Sequence, residues 1–483
     1  MSEISRLQRY VPAQRDLRVR LRLSVTEFLL TPLLMVLGAV ALALGSVLVD
    51  MSSPGWSPEV RNLFLRLFPH ENLVGMLRVI ATGLVTVTTL TISALLVAIS
   101  HTATTVAPVV FDQFLRRRAN QAYFGYVAGC ATYTYLVMAV SRPRWAGVGA
   151  LLAVVLAAGA LVLLVFMAYV MIDQMRPTSV VRSIQDLAFT ARLRQLPLLA
   201  RSRTAPAVEG ESLPVTTRAT GYVVDISTAR LEKLLAPAGD PAEDAVEVAF
   251  QVRIGDLLAY GDTVARIRGG DEESRRRIAD DVLDCVTIDR VRNADVDPDH
   301  AIEQLGNIAW AATSTRQNPD VALASVGALR DLSARCAAAG IPAAEAYGGP
   351  LPVVYDDALQ RRIVAALVDL VVVSTSSRQH QTCAVALSTL AEILPRLPER
   401  DRDLAVTSLQ RALPAILSHV ASVEMGRGLA RLRAAFDTIG REDMADQVRD
   451  MGPRLVRENG LEDDLIDHLD DNDLTGPRPF RFR

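Results

Sequence analysis

Lysine is almost absent from this chain: 51 lysines and arginines occur in 483 residues, and Lys233 is the one lysine. Basic charge carried this uniformly by arginine is a nucleotide-composition signature of a high-GC bacterium rather than a functional device. Cysteine is scarce too. Cys130, Cys285, Cys336 and Cys383 are scattered without a CxxC pair, which excludes disulfide and zinc frameworks built on close spacing. They read as small core residues in a reducing compartment. The formal net charge of −3 excludes a polybasic nucleic-acid binder. Histidine is rare and dispersed, with no His-Glu-x-x-His helix, and there is no P-loop and no GxSxG. Without an acid, base, nucleophile or metal constellation, an enzyme is not expected, nor is a cofactor.

What the chain does have is apolar length. Half of its residues are hydrophobic, and four runs stand out: Phe28–Val49, Val74–Ser100, Tyr123–Val140 and Gly147–Ile172. Each is long enough to cross a hydrocarbon core of ~30 Å as a helix. The first run exceeds a signal-peptide core of ~7–15 residues and follows a long arginine-rich lead, so cleavage is not expected. Arginines gather in residues 1–27, at Arg116–Arg118, and after the fourth run from Arg176 to Arg203, with fewer on the opposite side. The expected location is therefore a bacterial plasma membrane, with both termini cytoplasmic.

The second run carries Thr82, Thr86, Thr89, Ser93 and Ser100 at helical steps, one hydroxyl stripe. It reads either as a close-packing face or as the lining of a water path. Gly125 and Gly129 make a GxxxG step in the third run, which favours close packing. No Asp, Glu, Lys, Arg or His lies within the core of a run, which weakens an ion-coupled transporter.

Beyond a polar linker assigned to residues 173–213, short β-branched runs begin. GYVVDI (Gly221–Ile226), VEVAFQV (Val246–Val252), TVARI (Thr263–Ile267) and VTIDRVR (Val286–Arg292) read as strands, with a helix near Glu272–Asp284. The stretch VRIGDLLAYGDTVARI (Val252–Ile267) looks like half of a biotinyl or lipoyl carrier domain. It is followed only by Arg268, Gly269, Gly270 and Asp271, while Lys233 lies about twenty residues too early. The expected product over 214–296 is a small barrel or sandwich without carrier chemistry. From 297 to 455 the pattern is a helical bundle. Asp297-Pro298 and Asn318-Pro319 each place an N-cap before a proline at the first helical position. Ile363–Val373 is too short to span and reads as core despite Asp369. Residues 456–483 are expected to form an acidic, disordered tail, in which Asp471, Asp473, Thr475 and Gly476 mimic half an EF-hand. Phe482 stands where the loop needs glutamate.

The chain resembles the family of predicted bacterial membrane proteins termed domain of unknown function 2254. The likeness lies in FLRRRANQ (Phe114–Gln121) entering the third run, the GYV…ID block, the V…GD…G…L segment, and Arg292, Asp297, Ala312, Ser314 and Asn318. Asn293, Val296, Thr315 and the order Pro319-Asp320 depart from the pattern. The resemblance implies four N-terminal spans and a hydroxyl-rich second span, and it implies no activity. Arg290, Arg292, Asp297, Ser314, Arg316, Gln317 and Asn318 form the candidate ligand patch, where two helix N-termini could offer N–H groups to an anion. The expected partners are the lipid bilayer, further copies in a homo-oligomer, and an unidentified cytoplasmic protein or small anionic ligand. The leading expectation is a non-enzymatic membrane protein for assembly or sensing; an oligomeric channel along the stripe is the alternative.

Overall fold

A computed structural model describes residues 15–52, 70–105, 118–140, 148–174, 176–235, 246–316 and 318–458. The chain divides into two units, Met1–Arg176 and Pro177–Arg483. The tail beyond Glu458, with its EF-hand mimic, lies outside the described residues.

The first unit holds α1 (Arg15–Ser52), α2 (His70–Thr105), α3 (Arg118–Val140) and α4 (Val148–Gln174). Each contains a stretch long and apolar enough to cross a membrane: Leu30–Asp50, Val74–Ser93, Asn120–Val140 and Val148–Val170. The third is the least apolar and yet the most enclosed, with 50% of its span buried against 11–28% for the others. Helix α3 is therefore the hub, touching α1, α2 and α4. Its GxxxG step explains how. A Cβ at Gly125 would come within 2.7 Å of the Pro32 Cα, and one at Gly129 within 3.3 Å of the Ala39 Cβ. Two missing side chains let α1 lie on α3 backbone to backbone, the usual route to tight packing in lipid.

Polar groups finish the arrangement. The Tyr133 hydroxyl is buried against the Gly149 carbonyl at 3.1 Å and the Ser46 hydroxyl at 3.0 Å. The Asp50 carboxylate accepts from the N–H groups of Val148 and Gly149 at 3.0 and 3.1 Å. It thereby caps α4, whose first N–H groups have no partner within the helix.

In the second unit, α5 (Pro177–Arg201) occupies most of the segment expected as linker. Its buried face includes Val180, Ile184, Ala188 and Leu199, and it packs on α8 and α9, described below. Its arginines masked that face. Arg192 is buried because Asp357 takes both guanidinium ends at 2.9 and 2.6 Å. Arg201 likewise meets Glu232 at 2.9 Å.

The strands are β1 (Ser212–Thr216), β2 (Gly221–Ile226), β3 (Glu247–Phe250), β4 (Leu257–Leu258), β5 (Thr263–Arg268), β6 (Val286–Asp289) and β7 (Val353–Val354). Helix α6 (Thr228–Leu235) and helix α7 (Glu272–Asp284) lie between them. Of the barrel or sandwich expected, the closed barrel does not form: among the described residues the strands make two small sheets, β1-β5-β3-β7 and β4-β2-β6. No strand ladder joins the sheets, and β4 is only two residues long. One apolar cluster serves both, with Val223 and Ile226 from one and Val248, Phe250, Val264 and Ile267 from the other. Lys233, expected in an irregular stretch, sits exposed in the last turn of α6. What the carrier-like stretch builds is a repeated turn. Asp256 accepts from the Arg253 N–H at 2.9 Å and Asp262 from the Ala259 N–H at 2.7 Å. The glycine before each aspartate has positive φ, +97° and +90°.

The remaining helices are α8 (Pro298–Thr315), α9 (Pro319–Ala339), α10 (Leu359–Ser377), α11 (His380–Ile393), α12 (Glu399–Ala412), α13 (Val423–Thr438) and α14 (Glu442–Glu458). Both proline-initiated helices start where the sequence places them. Their buried faces include Ile302, Leu305 and Ile308, and Val326, Leu329 and Leu332. Strand β7 arises within this helical region and pairs in parallel with β3, so sheet and bundle interleave along the chain.

The α1–α3 contact yields a graded prediction. Gly125→Ala must move the backbone at Pro32, whereas Gly129→Ala needs only a few tenths of an ångström from Ala39. Thermal unfolding in detergent should drop for Gly125→Ala by about 1–3 kcal/mol, the usual cost of overpacking, and little for Gly129→Ala. Equal behaviour of the two variants would contradict this packing.

Candidate functional site

Two places carry the residues of interest, one in each unit. In the membrane unit, Thr82, Thr86, Thr89 and Ser93 lie on one face of α2, and that face is exposed. Val79 and Leu90 beside it are 71% and 64% accessible. Thr86 donates to the Thr82 carbonyl and Thr89 to the Val85 carbonyl, both at 2.9 Å. The hydroxyls are thus satisfied by their own helix and need nothing from lipid. Gly75 and Gly83 open onto free space. The Ser100 side chain lies outside the described residues.

In the second unit the anchor is Asp297, 1% exposed. It caps α8 by accepting from the His300 N–H at 3.1 Å, and it receives Arg292 Nε at 2.5 Å. Arg292 Nη1 turns to Glu303 at 2.6 Å. The Gly255 backbone presses on the same carboxylate, because a Cβ there would overlap it. Burial raises the Asp297 pKa despite the pull of Arg292. Burial and then the neighbouring Asp297 push Asp299 up to about 6, against Arg362 and Arg253. Burial and then Arg292 push His300 below its ordinary value, and its Nδ1 is buried without a hydrogen-bond partner among the described residues.

Around this anchor runs a lattice of arginines and aspartates. Arg362 faces Asp299 at 3.6 Å and Asp256 at 3.8 Å; Arg253 faces Asp256 at 3.6 Å and Asp356 at 3.5 Å. Arg361 holds Asp356 and, at 2.7 Å, Asp401. The buried Tyr355 hydroxyl accepts from the Ile254 N–H at 3.1 Å. These pairs tie the β3–β4 turn to the start of α10. Below them a groove of about 190 Å³ opens between α8 and α10, lined by Arg292, Asp299, Glu303, Trp310, Arg362 and Asp369 among others.

The predicted patch does not come together. Arg292 and Asp297 sit at the start of α8, with Arg290 exposed just before them, whereas Ser314, Arg316 and Asn318 follow at its other end. They lie at opposite ends of α8, whose 18 residues make a rod of roughly 27 Å at 1.5 Å per residue. Ser314 bonds the Ala311 carbonyl at 3.1 Å, Arg316 ends α8 in a left-handed conformation, and Asn318 makes no side-chain cap bond. Gln317 lies outside the described residues. Asp369, expected within core, is exposed and lines the groove. Sequence reading missed Asp299, Arg362, Asp369 and Trp310. The signals available were a carboxylate two residues past a cap and a lone acid inside an apolar run. Among the described residues no group of three or more histidines, cysteines and carboxylates is placed to hold a metal ion.

A family model described as a predicted membrane protein, domain of unknown function 2254, matches residues 26–394. No curated protein and no solved structure matches the chain.

Asp299 gives the site a pH signature. Its carboxyl holds a proton more tightly folded than unfolded, since about 6 exceeds the ordinary 3.8. This group therefore lowers stability above pH 6, and the loss is relieved as pH falls toward 4, a swing on the order of 3 kcal/mol. Asp299→Asn should be more stable than the wild type at pH 8, with the difference about halved by pH 5 and nearly gone toward pH 4 in thermal scans. A difference that grows on acidification would mean the carboxylate is held by its arginines rather than penalised.

Proposed function

The chain belongs to the domain of unknown function 2254 family of predicted membrane proteins, and from that premise we propose a non-enzymatic, multi-pass protein of a bacterial plasma membrane. In this reading its membrane units assemble through α2, and its second unit, in the cytoplasm, senses a small ligand or partner. The exposed hydroxyl face of α2 carries the proposal. The packing of three helices around α3 leaves Gly75, Thr82, Thr86, Thr89 and Ser93 facing outward, with the Thr86 and Thr89 hydroxyls turned back on their own helix. Such a strip offers lipid little side-chain volume to pack on. It lets the same strip of a second copy approach closely, the usual role of small residues between membrane helices. The arginine excess at the lead, after α2 and after α4 supports cytoplasmic termini.

A second reading, a channel, draws on the same exposure: copies arranged around an axis would turn the stripe inward to a water path. The two readings differ in what volume does. Thr86→Ala and Thr89→Ala should be mild under either, since interhelical hydroxyl bonds average only about 0.6 kcal/mol. Thr86→Leu with Thr89→Leu should split the oligomer, measured by crosslinking in membranes, if the stripe packs. An intact oligomer whose ion flux in liposomes is abolished, against a conducting wild type, would establish the channel instead. Orientation is checked separately. Single cysteines at positions 55–70 should react with impermeant reagents in intact cells, and cysteines beyond 173 should not. Labelling beyond 173 would place the second unit outside.

A further inference from the structure

We propose that the groove between α8 and α10 is a binding site for a small organic cation, an alkyl- or quaternary ammonium ion seated between Trp310 and Asp369. The inference specifies the ligand class for the sensing role given to the second unit.

The groove has two unlike ends. Near the start of α8 its charges answer one another: Arg292 reaches Glu303 at 2.6 Å and Arg362 faces Asp299 at 3.6 Å. Neither carboxylate there lacks a cation. Two turns further along α10 stands Asp369, and among the described residues no basic side chain lies within ion-pair distance of it. Its neighbours on the groove wall are Ala365, Ala366 and Leu370. An acid on such a wall, without an ion-pair partner among the described residues, is a local source of negative potential.

Trp310 supplies the second half. It lies on α8 one turn beyond Asn307 and lines the same groove, yet it is 52% exposed. A tryptophan left this open on a helix whose other large apolar residues are buried forgoes much of its burial free energy. The gap persists because Gly306 brings α8 close to α10. A Cβ on Gly306 would lie 3.3 Å from that of Ala366, so the two helices meet closely there. A carboxylate in the same groove as a half-exposed indole is complementary to a cation with an apolar shell. An anion is repelled by Asp369. A bare metal ion has no use for the indole and lacks the several oxygens such ions require. A methylated or alkylated ammonium uses both groups, and a volume of about 190 Å³ suits one of few heavy atoms.

The three tryptophans are Trp56, Trp145 and Trp310, so Trp310 becomes the reporter in full-length protein carrying Trp56→Phe and Trp145→Phe. Titration with tetramethylammonium chloride should change its emission saturably, with a millimolar midpoint, beyond any change caused by equal sodium chloride. Asp369→Asn should weaken the midpoint about tenfold, and Asp369→Glu should retain it. Should the double phenylalanine background not fold, the thermal midpoint of the otherwise unaltered chain serves instead: tetramethylammonium raises it, and Asp369→Asn removes the rise. A response no greater than that to sodium chloride, or an Asp369→Asn variant that titrates like the parent, overturns the proposal. Assembly through α2 is read by crosslinking and stands or falls apart from this result.

Discussion

One buried carboxylate organises the second unit. Asp297 closes the first turn of α8, takes the guanidinium of Arg292 as the chain leaves β6, and accepts the close approach of Gly255 from the β3–β4 turn. A lone ionised group at 1% exposure would cost several kcal/mol. Two charge-assisted contacts and a helix N-terminus offset that cost. Their geometry is demanding, so strand exit, turn and helix start are held in one relation. The arginine–aspartate pairs around α10 extend the same logic outward. The two sheets, which share no ladder, are thereby fixed to the bundle as well as to each other's apolar faces.

The membrane unit depends on the opposite device, the absence of side chains. Gly125 and Gly129 let α1 rest on α3, and the burial of Tyr133 and the capping by Asp50 then orient α4. Lipid gives apolar side chains no reason to prefer one another over acyl chains, so contact area and satisfied polar groups decide which faces meet. The face of α2 left over is the one whose hydroxyls are already bonded within their own helix.

Legibility differed by element. The four spans, the proline-initiated starts of α8 and α9, the cap at Asp297, and strands β2, β5 and β6 were readable because each rests on a local rule: apolar length, proline at the first helical position, β-branched runs between turns. Helix α5 was hidden because the side chains that bury its face include Arg192 and Arg201, which periodicity counts as solvated. Strand β7 was hidden because two residues make no pattern, and only pairing with β3 makes them a strand. The candidate patch failed on distance. Residues close in sequence were treated as close in space, although α8 intervenes as a rod.

The sequence by itself determined where the chain meets lipid, where most helices begin, and the family to which it belongs. Those properties follow from composition and short-range backbone chemistry. The tertiary structure alone decided that the α2 stripe faces outward, that the strands stop at two open sheets, and that Asp369 and Trp310 share a groove. Each of these depends on which faces pack. Packing sets residues far apart in the chain against each other, as Gly306 is set against Ala366, and no local rule encodes it.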